Sequence, residues 1–166
     1  MDDDAAIAIG ARLVELYAKV HSGPMRNMPV CNDAIEVEAI GFRAFSGKAV
    51  GVVVAPWFMN LVVADAVERA PTSAAPGARS FMALPAGDVE FVSGWLDGFG
   101  LVHSCSLFSP MFEFADTMAA RAVAQASLAA LFDPYLLAEP VTRQAAQVDR
   151  RALLRGRLAE NKEAPP

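Results

Sequence analysis

Cysteine is scarce in this chain. Cys31 and Cys105 are the two in 166 residues, too few for a disulfide framework, and without any Cys-x-x-Cys pair no zinc knuckle is encoded. Histidine is equally rare, at two, and aromatic residues make up only 8%. Long apolar runs are missing too. The longest charge-free stretch, between Lys48 and Asp65, holds sixteen residues and contains Pro56 and Asn60. A membrane-spanning helix needs about 20 apolar residues and tolerates such interruptions badly, so no membrane insertion is expected. The Met1-Asp2-Asp3-Asp4 start is the reverse of an export signal's basic start, and the expected location is the cytoplasm. Lys and Arg are absent between Ser80 and Ala120, where five acids lie. A surface of that sign repels phosphate backbones, which excludes nucleic acid as an expected partner.

What is present is a hydrophobic share of 54%, enough for one domain with a proper core. Part of it is soft, because 32 residues are alanine. Net charge is −5 and unevenly spread: −8 over residues 1–142, +4 over 143–157, where five Arg face one Asp, and −1 over the last nine. The division expected is an α+β domain at 1–142 and a basic C-terminal tail at 143–166.

Helical spacing of Ile7, Ala11, Val14 and Ala18 predicts a helix over 4–21, capped by Asp4 and stopped at Gly23-Pro24. Ile35, Val37 and Ala39 alternate with Glu36 and Glu38 as in a half-buried strand. Val50 to Ala55 reads as a buried strand, and Trp57 to Ala64 as a strand bent or offset at Pro56. Residues 70–79 read as a mobile loop. Asp88–Trp95 and Phe99–Leu107 form strands joined through Asp97-Gly98, a type I′ hairpin signal. A helix over 117–132 follows, capped by Asp116, with Ala119, Ala122, Ala126 and Ala130 on a small-residue face. The fold expected is α+β: a mostly antiparallel sheet of about five strands flanked by N- and C-terminal helices.

Catalytic motifs are not found. Gly41 to Lys48 misses the phosphate-loop spacing by one residue and has Ala49 where a magnesium-binding hydroxyl belongs. His103 and Cys105, at i and i+2 on a strand, share a face and leave open a small enzyme or a redox or metal accessory protein. Two potential ligands do not make a metal site, and no cofactor is expected.

Two apolar strings stand out, Pro56-Trp57-Phe58-Met59-Asn60-Leu61 and Ser106 to Phe114. Bordered by acids, they suggest an exposed groove for an apolar peptide, since Met and aromatic side chains suit adaptable surfaces. Trp57, Phe58, Met59, Met111, Phe112 and Phe114 are expected to present solvent-facing atoms on one side, with Glu90, Glu113 and Asp116 nearby. At these strings the sequence resembles the HybE/HupJ family of nickel–iron hydrogenase assembly chaperones. The resemblance runs through the 35–42 segment, Pro56-Trp57-Phe58-Met59, Leu84-Pro85-Ala86-Gly87, Glu90-Phe91 and Leu96-Asp97-Gly98. Its most specific parts are Cys105-Ser106-Leu107-Phe108-Ser109-Pro110-Met111, with Phe114-Ala115-Asp116, and the closing Arg150-Arg151-Ala152-Leu153-Leu154-Arg155-Gly156-Arg157. It implies a cytoplasmic accessory protein, not an enzyme. Such a protein binds large or small subunit precursors of an uptake hydrogenase, including the small subunit's twin-arginine signal. Some members accompany or are joined to a rubredoxin-like module. Arg150 and Arg151 copy the order of a twin-arginine signal at the wrong end of the chain; the readings open for them are a solvated basic helix, a subunit-docking arm, or an arm that competes for the surface that receives the client.

Overall fold

The computed structural model describes residues 1–65, 75–133 and 135. The expected tail with Arg150 and Arg151, the 142/143 boundary and residues 70–74 of the expected loop lie outside them. Helix α1 (Asp3–Ser22) is followed by strands β1 (Glu38–Phe45), β2 (Lys48–Ala55), β3 (Phe58–Ala64), β4 (Arg79–Leu84), β5 (Gly87–Leu96) and β6 (Gly100–Phe108), then helix α2 (Thr117–Phe132). All strand pairs are antiparallel, in the order β1-β2-β3-β6-β5-β4. The α+β class and the flanking helices agree with the reading from sequence.

Alternation along the strands builds two cores, one on each face of the sheet. On one face Val53, Val62, Ala64 and Val102 pack with Ala6 and Leu13 of α1. On the other, Val50, Val52, Val54, Leu61, Val63 and Phe91 pack with Ala120, Ala124 and Leu128 of α2. The sheet curls around α2. One side of the helix's last turn meets Phe45 of β1, whose ring stands edge-on to Phe132 at 5.3 Å. The other side accepts a hydrogen bond, Ala86 N–H to the Leu131 carbonyl at 3.1 Å, from the β4–β5 turn.

Several local expectations are corrected. The buried stripe of α1 is Ala6, Gly10 and Leu13, while Ile7 is 56% exposed and Ala11 and Ala18 face solvent. The stripe turns because α1 meets the sheet through the ring of Phe42, and only glycine fits there. A Cβ on Gly10 would lie 2.9 Å from that ring, and one on Gly51 of β2 only 2.3 Å from it. The cap is Asp2, which accepts from Ala5 N–H at 2.8 Å, rather than Asp4. On α2, Asp116 caps as read, accepting from Ala119 N–H, but Ala122 and Ala126 are exposed and Ala120, Ala124 and Leu128 are inside.

Residues 35–37 precede β1 instead of belonging to it. Their backbone groups are satisfied elsewhere: Ile35 N–H donates to the Asn32 carbonyl and Glu36 N–H to Thr117 Oγ1. Pro56 does not bend one long strand. Pro56 and Trp57 form a tight turn between β2 and β3, with Ala55 paired to Phe58. A sixth strand, β4, stands where the reading closed a loop at Arg79. The Asp97-Gly98 hairpin is present with a three-residue loop between the Leu96–Gly100 pair, and Gly98 has φ +77° while Asp97 stays out of the left-handed region. That excludes type I′, which needs positive φ at both central positions.

Adding even one methyl at the Phe42 slot overfills it, at a typical cost of about 1–3 kcal/mol. Gly51→Ala should lower stability by about that much in urea unfolding, and Phe42→Leu in the same chain should recover part of the loss. A Gly51→Ala protein as stable as wild type would contradict the slot.

Candidate functional site

The two apolar strings converge at one end of the sheet. The β2–β3 turn supplies Trp57 and Phe58, and the turn after β6 supplies residues 109–114. Ser109 Oγ donates to the Trp57 carbonyl at 3.3 Å, and Met59 pairs with Phe108. Asn32 ties both to the segment before β1. Its N–H donates to the Pro56 carbonyl at 2.8 Å, and its Nδ2 donates to the carbonyls of Met111 (3.0 Å) and Phe114 (2.9 Å). One amide side chain thus fixes a turn that no strand or helix holds.

Trp57 and Phe58 join Tyr17 and His21 from the last turns of α1. Tyr17 stands edge-on to Phe58 at 5.1 Å and to Trp57 at 6.4 Å, and His21 lies 6.0 Å from Trp57. Such edge-to-face contacts favour one fixed arrangement of rings. All four side chains are partly exposed. Burial holds the Tyr17 hydroxyl above the usual phenol pKa, so it remains a neutral donor. In the segments that build this end, Phe112 is 57% exposed and Met118 of α2 is 72% exposed, while Met28 and Val30 also reach solvent. Residues 28–36, 56–58 and 109–118, which build this end, carry Asp33, Glu36, Glu113 and Asp116 and no Lys or Arg. It is an apolar surface whose rim is mostly acidic, with Arg26 lining a hollow beside His21 and Asp33, and Arg121 bound to Glu38 near Glu36.

Not every expected residue belongs to that surface. Trp57, Phe58 and Phe112 present solvent-facing atoms, but Met59 and Met111 are fully buried and Phe114 is 8% exposed. Met59 points to the α2 face beside Val54, and Phe114 turns inward to stack edge-on against Phe108 at 5.1 Å. Glu113 and Asp116 lie on this end, Asp116 engaged as the helix cap. Glu90 is on β5, where its carboxylate accepts from Arg79 of β4 at 2.9 Å. Tyr17, His21, Asn32, Met28, Val30 and Met118 were not singled out from sequence. The i, i+4 spacing of Tyr17 and His21 was an available signal; for Asn32 there was none.

His103 and Cys105 do share a face, as strand spacing requires, but they do not bond to each other. His103 Nδ1 is 3.0 Å from Ser93 Oγ. Burial raises the Cys105 thiol pKa, with Glu90 adding to the effect, which disfavours the thiolate a nucleophile needs. Burial raises Cys31 likewise, helped by Asp33. Among the described residues no group of three or more His, Cys, Asp or Glu is placed to hold a metal ion. No described helix is long and apolar enough to cross a membrane.

His103 has a pKa lowered from 6.5, chiefly by burial and then by Lys48, against a smaller opposing pull from Asp65. Between the two values the unfolded chain binds the proton more readily. The stability linked to neutral His103 is therefore whole above pH 6.5 and falls as pH drops through the lowered folded value. NMR titration should place His103 below 6.5, and His103→Gln should flatten the acid-side decline. A midpoint at or above 6.5 would contradict this. Removing Asn32 leaves two carbonyls without their donor, at about 1–3 kcal/mol. Asn32→Ala should accordingly destabilise the chain and speed amide exchange at Phe114; unchanged exchange would show the turn to be held otherwise.

Comparison with known proteins agrees with the resemblance. The family model described as "[NiFe]-hydrogenase assembly, chaperone, HybE" matches residues 8–156. The chain is 46% identical over 164 residues to the hydrogenase expression/formation protein HupJ of Bradyrhizobium diazoefficiens, covering 96% of this chain and 95% of that one. It is 34% identical over 136 residues to the probable rubredoxin HupJ of Rhodobacter capsulatus, covering 82% of this chain and 48% of the relative, so it spans about half that protein's length. The solution structure of HybE from Escherichia coli superposes with a TM-score of 0.59 at 24% identity, over 92% of this chain and 91% of the other, and supports the fold. The chain belongs to the HybE family of nickel–iron hydrogenase assembly chaperones.

Proposed function

We propose that this chaperone binds a precursor subunit of an uptake nickel–iron hydrogenase through the apolar, acid-rimmed end of its sheet, in the cytoplasm and without catalysis. The observation that carries the reading is the Tyr17–His21–Trp57–Phe58 ring cluster, left half-open to solvent, with Phe112 exposed in the 109–114 turn that Ser109 ties to Trp57. Side chains of this size fill a core when they can; held rigid at a surface, they are ready-made anchors for an apolar partner. The rim's charge adds selection. A segment that is both cationic and apolar, as the small subunit's twin-arginine signal is, gains attraction from Asp33, Glu36 and Glu113 while its apolar part covers the rings. A rubredoxin-like accessory protein is a further proposed partner, on the strength of the name carried by the longer Rhodobacter capsulatus relative. The basic arm with Arg150 and Arg151 is proposed as a second client contact or as a competitor for the same acidic surface.

The test is capture of purified hydrogenase precursors, large and small subunit separately, by the full chain. Truncating a central interface anchor often costs about 2 kcal/mol or more. Trp57→Ala should weaken capture by that amount while changing urea stability far less, and high salt should weaken it further. Equal capture by wild type and Trp57→Ala would move the site elsewhere.

A further inference from the structure

The two edges of the sheet are finished differently. At β1 the edge is closed: Asp3 of α1 accepts the Ala44 N–H at 2.8 Å, and a bulge between Ile40 and Arg43, where Gly41 has φ +60°, breaks the regular ladder. At β4 nothing among the described residues does this work. The hydrogen bond from Ser93 N–H to the Ala78 carbonyl sets the phase of the β4–β5 ladder. Alternating from there, the main-chain groups of Ser80, Met82 and Leu84 turn toward β5, and those of Arg79, Phe81 and Ala83 turn outward. The strand reads Arg-Ser-Phe-Met-Ala-Leu, with no proline or glycine and one charge, and Phe81 is 72% exposed. It lacks the features that usually keep an edge from pairing.

Each face beside this edge has its own chemistry. Phe81 and Ala83 lie opposite Glu90 and Asp88, so one face offers an exposed ring and two carboxylates. Glu90 is engaged by Arg79, whereas Asp88 is exposed and has no ion pair among the described residues. Toward the opposite face Ser80 and Met82 line a cavity of about 220 Å³ together with Val63, Phe91, His103 and Lys48, and Phe81 contributes atoms to its lining. That volume suits one apolar side chain.

We infer that the β4 edge is a strand-binding site for an extended segment in which cationic and apolar residues alternate. The segment hydrogen-bonds to the outward groups of Arg79, Phe81 and Ala83. Its cationic side chains fall over Phe81 and beside Asp88, combining cation–π and ion-pair attraction, and an apolar side chain leans past Met82 into the cavity. The charge argument selects this occupant: beside Phe81 lie Asp88 and Glu90 against the single Arg79, and the chain as a whole carries a net charge of −5. The inference rests on the chaperone reading in so far as the segment belongs to a client, and it adds a contact apart from the aromatic end.

The probe is a synthetic peptide alternating Arg and Leu, tested on the full chain by amide exchange and by titration. A second peptide of identical sequence carries N-methyl groups on the amides that would face β4, which keeps its charge and removes its donors. The expected result is that the first peptide slows exchange at Phe81 and Ala83 and binds about tenfold more tightly than the methylated one. Phe81→Ala and Asp88→Asn, both at exposed positions, should each weaken it several-fold. Equal binding of the two peptides overturns the inference. So does slow exchange of Phe81 and Ala83 in the free chain, which would mean another part of the chain covers the edge; protection that rises with protein concentration would mean a second copy does. Precursor capture by wild type is unaffected by any of these failures. Loss of the chaperone reading would instead appear as no capture of precursors at all.

Discussion

The ring of Phe42, held between Gly10 of α1 and Gly51 of β2, is the contact on which the arrangement of this molecule depends. It sets the distance and rotation of α1 on the sheet, and therefore which side chains of the helix turn outward. The residue before it, Gly41, does the matching service for the other helix: a Cβ there would lie 2.7 Å from Leu128 Cδ1 of α2. A two-residue step in β1 thus seats a helix on each face, and the bulge that Gly41 permits delivers Ile40 to one core and Phe42 to the other.

The proposed binding surface follows from that seating. With α1 rotated about the Phe42 slot, Tyr17 and His21 reach the β2–β3 turn and hold Trp57 and Phe58 at the edge of the core instead of inside it. Asn32 then closes the 109–114 turn against the same end. Phe58 begins the β2–β3 ladder, but Trp57 and the 109–114 turn lie outside any strand. Aromatic packing and a few side-chain hydrogen bonds hold this end, an arrangement suited to a surface that must be ordered enough to select a partner yet remain uncovered.

Local chemistry was legible in the residues. The two helices, the Asp116 cap and the Asp97-Gly98 hairpin all follow from nearest-neighbour spacing, and the structure contains them. Helix faces were not legible, because an alanine-rich helix has several stripes of nearly equal hydrophobicity and the contact was decided by glycine, the residue that carries no signal of burial. β4 was hidden by the Pro- and Ala-rich stretch before it. In the candidate site the strings themselves were visible, but strand alternation drew Met59 inward and the Asn32-held turn drew in Met111 and Phe114. A turn fastened by a side chain 79 positions away leaves no periodic trace.

The chain's two tryptophans permit a direct test of where a client binds. Trp57 belongs to the aromatic end, whereas Trp95 is paired with Leu101 at the far end of β5 and is 43% exposed. With both replaced by 5-fluorotryptophan, fluorine NMR gives one signal from each end of the same sheet. On adding a purified hydrogenase precursor, the Trp57 signal should shift and broaden while the Trp95 signal stays in place. A shift confined to Trp95 would contradict the account.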